Sequence, residues 1–94
     1  MSKLTKFEKS QRAHNKLHWK HINNSIGNPK AEVKANYHLD VVTLQRKAGK
    51  ILPLKERKLL YKYNKQDILG SSSKNPVKRK DYLDIFKKYK VDSY

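Results

Sequence analysis

Asn28-Pro29-Lys30-Ala31-Glu32-Val33-Lys34-Ala35-Asn36-Tyr37-His38-Leu39-Asp40-Val41-Val42-Thr43-Leu44-Gln45-Arg46-Lys47-Ala48-Gly49 is the stretch that decides the fold class. Asn28 can cap a helix with its side-chain oxygen. Pro29 suits the first helical position, because the donor it lacks would be orphaned there anyway. From there Val33, Tyr37, Val41, Leu44 and Ala48 recur at four- and three-residue spacing, within about 80° of arc on a helical wheel. Gly49 supplies the stop. Residues 37–43 also have strand propensity, but the longer 3.6-residue period outweighs it, and the spacing predicts a helix over 30–48.

The same punctuation extends in both directions. Pro53 opens and Gly70 closes a second helix over 54–69, with Leu54, Tyr61 and Ile68 on one line and Leu59, Leu60 and Tyr63 on another. A helix apolar on more than one side is sandwiched between neighbours or pressed on a large partner. Residues 29–70 are therefore expected to form a helical core hairpin. Ser71-Ser72-Ser73 reads as a flexible joint over 71–75. Asn75-Pro76 repeats the cap-and-proline signature, and Tyr82, Ile85, Phe86 and Tyr89 form a stripe at i, i+3, i+4, i+7. A basic amphipathic helix over about 76–90, within a C-terminal segment 76–94, follows. Lys87, Lys88 and Lys90 sit in its last turn, where the helix dipole favours cations.

The first segment differs. Leu4, Phe7, Leu17, Trp19 and Ile22 are compatible with a helix over about 4–24, but their wheel positions scatter and give no self-sufficient apolar face. Residues 1–28 read as a basic helical or extended arm that becomes ordered on its partner. The expected fold class is all-α: small, loosely packed helices with that arm.

Charge constrains function. Lys and Arg number 23 against eight Asp and Glu, a formal net charge of +15 in 94 residues. Self-repulsion of this size destabilises a compact isolated domain and calls for a polyanionic partner. Phosphate backbones fit, because each neutralised phosphate releases condensed counterions. The excess is spread evenly, at +6 for residues 1–30, +5 for 31–70 and +4 for 71–94. A chain embedded along nucleic acid has this pattern, whereas a domain with one basic tail would be loaded at one end. The hydrophobic share of 36% implies a thin core, worth about 3–5 kcal/mol in isolation. With no cysteine, disulfides and thiolate metal sites are ruled out. No apolar run approaches the roughly 20 residues of a membrane span. The start has no apolar secretory segment, and its lysines with a single acid, Glu8, are compatible with an uncleaved mitochondrial import signal.

Three groups are the candidate contacts to nucleic acid. Trp19, among Arg12, Lys16 and Lys20, can stack on an unpaired base while the cations hold phosphates, or it can anchor the arm to the helical core. Arg46, Lys47 and Lys50, then Lys55, Arg57, Lys58, Lys62 and Lys65, form the densest basic run. A fold at Gly49–Pro53 would bring its two halves together. Lys78, Arg79 and Lys80 form a third cluster. His14, His18 and His21 fall at i, i+4 and i+7, a spacing that can hold a divalent metal. With no cysteine nearby and Lys16 and Lys20 beside them, they read instead as polar, RNA-facing or solvated residues on a basic helix. No cofactor or metal is expected. The acids are few and separated, and no nucleophile–base pair, paired carboxylates or glycine-rich phosphate loop is legible. The chain does not read as an enzyme, and no small-molecule substrate is expected.

The expected function is that of a small RNA-binding structural component of a ribonucleoprotein. A ribosomal protein, cytoplasmic or mitochondrial, is the leading form, bridging rRNA phosphates and touching neighbouring proteins. DNA is the alternative polyanion, for a phage or plasmid regulator whose recognition helix would read bases; Gln45 and Gln66 are the polar side chains offered for it. A helical assembly factor for acidic proteins is a further alternative. A membrane-surface role is disfavoured, because tyrosines and polar breaks interrupt the apolar stripes.

Overall fold

Asn28 caps its helix as its position suggests: its side-chain oxygen accepts from the Ala31 N–H at 3.3 Å, and Pro29 stands at the first helical position. This computed structural model describes residues 4–70 and 76–91. It contains α1 (Lys6–Asn23), α2 (Pro29–Ala48), α3 (Leu54–Leu69) and α4 (Arg79–Lys88), and no strand among the described residues. The chain is all-α. Gly49 and Gly70 end α2 and α3 in the left-handed region, at φ of 70° and 62°, each returning its N–H to the carbonyl four residues back. A side chain there would strain the backbone, so both positions favour glycine.

Successive helices run antiparallel, and each packs on the one before it. The core lies where α2, α3, α4 and the α2–α3 connection meet: Val41, Leu44, Leu52, Leu60, Ile85 and Phe86 are buried together. Tyr37, Leu59, Tyr82, Tyr89 and Val91 pack around them. On α3 the two predicted apolar lines are resolved unequally. Leu60 is completely buried, while Leu54 is 56% exposed and Tyr61 37% exposed. Asp40 ties the three core helices, its Oδ2 accepting from Asn64 Nδ2 at 3.0 Å and Tyr82 OH at 2.7 Å. Glu56 adds a second tie to α4, accepting from Tyr89 OH and from Lys88 Nζ at 3.2 Å.

Residues 6–23 form the helix expected over about 4–24, and it is docked along α2. Thr5 and Glu8 form a capping box at its start. The seam mixes half-buried Phe7, Leu17 and Ile22 with polar side chains, so no continuous apolar stripe marks it. Ala31, Ala35 and Val42 present a small, buried surface on α2 that lets α1 come close. Gln11 Nε2 then donates to the Val42 carbonyl at 3.2 Å, and His18 Nδ1 lies 2.9 Å from the Ala35 carbonyl. Gln45, fully buried, donates through Nε2 to Ser10 Oγ and Gln11 Oε1 and accepts the Leu52 N–H on Oε1. One side chain thus joins α1, α2 and the α2–α3 connection.

α4 begins at Arg79, three residues after Pro76, and ends at Lys88. The proposed Asn75 cap and the 71–75 joint lie outside the described residues. The late start has a visible cause. Gln66 accepts the Val77 N–H at 2.9 Å and donates to the Val77 carbonyl at 3.0 Å, pinning Val77 outside the helix. Both glutamines offered for base reading are thus engaged inside the protein.

Candidate nucleic-acid interface

The antiparallel pairing of α2 and α3 sets the start of one helix beside the end of the other. Lys30 and Lys34, one turn apart on α2, thereby meet Tyr61 and Lys65, one turn apart on α3, around a groove of about 180 Å³ that also touches Val33 and Leu69. Tyr61 is shared with an adjoining groove of about 310 Å³, lined by Tyr37, Leu54, Arg57 and Lys58. Among the described residues no acid lines either groove. The result is a continuous face on which five cations surround a half-exposed tyrosine. Cations spaced along a helix pair can each meet a phosphate, and the exposed tyrosine offers a stacking surface for a base. Arg57 adds to the electropositive character: its buried Nε–H has no hydrogen-bond partner among the described residues.

Of the residues predicted from sequence, this face collects Arg57, Lys58 and Lys65. Lys55 and Lys62 on α3 and Lys50 in the connection are exposed but line neither groove. Arg46 and Lys47 are directed elsewhere: with Thr43, Lys90 and Val91 they border a separate groove of about 220 Å³. The basic run is therefore divided between two places on the surface, because the end of α2 lies against the end of α4. Lys78, Arg79 and Lys80 are exposed at the start of α4. Arg12, Lys16 and Lys20 are exposed on α1. Trp19 beside them is 59% exposed, with the His18 ring edge-on at 5.3 Å, and is no anchor to the core. It stands free to stack. Lys30, Lys34 and Tyr61 were missed as contacts; their one signal in the sequence is the i, i+4 spacing of each pair, and only the helix pairing makes it count.

His14 and His18 turn inward, where solvated or RNA-facing residues were expected, while His21 stays partly exposed. His18 is buried against the Ala35 carbonyl, and His14 meets His38 of α2, Nδ1 to Nδ1, at 2.8 Å. One of these two nitrogens must carry a proton and the other accept it. His21 stacks on His38 with rings 5.8 Å apart and 9° from parallel. From His14 the rings continue edge-on to Tyr37 and on to Tyr61, so the cluster lies directly behind the basic face. Among the described residues no group of three or more His, Cys, Asp or Glu is arranged to hold a metal ion.

Burial pushes His38 down to about 4, helped by its histidine neighbours and Lys34. Burial also lowers His14, with Arg57 beside it, and His21, with Lys34 and Lys20 nearby. Their ordinary value is 6.5. As pH falls the unfolded chain takes up these protons first, so stability present above pH 6.5 is lost between 6.5 and about 4. After allowance for solvent screening the cluster loses about 2 kcal/mol across this window, as one coupled transition. Asp40, raised by burial, works weakly in the opposite sense. Urea midpoints measured from pH 7.5 to 4 should show the fall, and His38→Gln should flatten it. A pH-independent midpoint would count against the cluster.

Comparison with known protein families, with curated proteins and with solved structures finds no match for this chain. Site chemistry alone carries the functional reading.

Proposed function

We propose that this chain is a helical RNA-binding component of a ribonucleoprotein, acting by charge neutralisation and architecture. The observation that carries the reading is the acid-free face of α2 and α3, where Lys30, Lys34, Arg57, Lys58 and Lys65 surround Tyr61. Phosphates would sit on the cations, and an unpaired base would stack on the tyrosine. Further exposed cations on α1 and α4 would engage other RNA segments, which suits a small protein held where several strands converge. With a net charge of +15, binding also relieves self-repulsion and stabilises the fold by mass action. A ribosomal subunit is the particle this architecture fits best.

The test is sedimentation of tagged protein from its native cell on a sucrose gradient, with and without RNase. Migration with a large particle, lost on digestion, is the expected result. A small complex indifferent to RNase would replace this reading with that of an assembly factor on acidic proteins. A complex lost only on DNase treatment would replace it with a DNA-binding one.

A further inference from the structure

A groove of about 400 Å³ lies between α2, α3 and α4, and its chemistry is unlike that of the basic face. Two of the chain's eight acids, Asp40 and Asp67, line it. Asp40 is 4% exposed, its Oδ2 fixed by Asn64 and Tyr82, so it is a rigid part of the floor. Tyr63 and Tyr82 stack on each other at 4.1 Å and 19° from parallel, forming an aromatic slab in one wall. Asp67 is exposed, lies one turn beyond Tyr63 on α3, and has no hydrogen bond or ion pair with the described residues. Arg79, at the start of α4 and flanked by Lys78 and Lys80, completes the rim.

A carboxylate with no partner among the described residues, beside an aromatic slab and a guanidinium, selects among bases. A carboxylate can accept two adjacent N–H donors at once, and of the four RNA bases only guanine offers such a pair, N1–H beside the N2 amino group. Uracil flanks its one N–H with carbonyls, which carboxylates repel; adenine and cytosine each set one donor beside an acceptor. Guanine's other edge carries O6 and N7, the acceptors that an arginine fork matches. Its face stacks on tyrosine. We infer that this groove is a subsite for an unpaired guanine of the bound RNA, with Asp67 taking its donor edge, Tyr63 its face and Arg79 its acceptor edge or phosphate. The subsite rests on the RNA-binding reading above and gives it base selectivity. Asp40, held in the floor, disfavours bases that would point a carbonyl inward.

The experiment is fluorescence anisotropy of the full chain with a uridine-only single-stranded RNA and with the same RNA carrying one central guanosine, adenosine or cytidine. The guanosine RNA should bind about tenfold tighter than the other three. Asp67→Asn should abolish that preference without weakening binding of the uridine-only RNA, which the lost negative charge can only favour, and circular dichroism of the variant checks its fold. Equal affinity for all four RNAs, or a guanosine preference that survives both Asp67→Asn and Arg79→Ala, would overturn the subsite and leave RNA binding standing. Failure to bind any of the RNAs would overturn RNA binding itself and the subsite with it.

Discussion

Gln45→Ala should cost about 3–4 kcal/mol of folding stability, as much as truncating a buried apolar core residue. Gln45 is completely buried, and three of its four amide hydrogen-bond directions are used, toward Ser10, Gln11 and the Leu52 N–H. Truncation leaves a cavity and strands the Leu52 N–H and the Gln11 carbonyl oxygen; a stranded buried group costs about 1–3 kcal/mol. The core is thin, so the loss consumes most of the total stability and should undock α1. Urea denaturation followed at 222 nm measures it. Gln45→Met, which fills the space without the hydrogen bonds, should recover only the packing part. A Gln45→Ala variant that melts within about 1 kcal/mol of wild type would show that the polar seam does not hold α1 in place.

That seam also marks the limit of what could be read in the sequence. α2 and α3 are legible almost to the residue, because Asn28-Pro29, Gly49 and Gly70 are local signals that depend only on backbone chemistry. The apolar period of α2 correctly places Val33, Val41 and Leu44 inside. The helix of α1 is legible in its residues but its docking is not, because Gln11, His14 and His18 interrupt the half-buried Phe7, Leu17 and Ile22. A hydrogen-bonded seam has no hydropathy period, since each partner is identified only by the residue across from it. The start of α4 was placed too early for a similar reason: Gln66, eleven residues away, dictates the backbone of Val77.

The candidate site divides the same way. Arg57, Lys58 and Lys65 stand out as charge along one helix, whereas Lys30, Lys34 and Tyr61 become a site only when α2 and α3 pair. Arg46 and Lys47 were grouped with the α3 lysines by their closeness in sequence. The fold sends them to the α4 end instead. Trp19 was ambiguous because its residue type serves core and surface alike, and its 59% exposure removes the anchoring role.

The second large effect concerns binding. Reversing Lys30, Lys34 and Lys65 together to Glu should weaken affinity for a short single-stranded RNA by at least about 100-fold at 0.1 M salt. Each phosphate contact on single-stranded nucleic acid contributes about 0.7 to the salt slope, and the introduced carboxylates add repulsion. All three lysines are exposed, so the helices should form unchanged. Reversing Arg46 and Lys47, which border the separate groove near Lys90, should cost far less.

The decisive measurement is the salt dependence of RNA affinity for the wild-type chain and for the Lys30→Ala, Lys34→Ala, Lys65→Ala triple variant. Five cations on the α2–α3 face imply a wild-type slope of about −3.5 or steeper in log affinity against log salt, made shallower by about 2 in the triple variant. A wild-type slope near zero, or the same slope in both proteins, would contradict RNA binding by charge on this face.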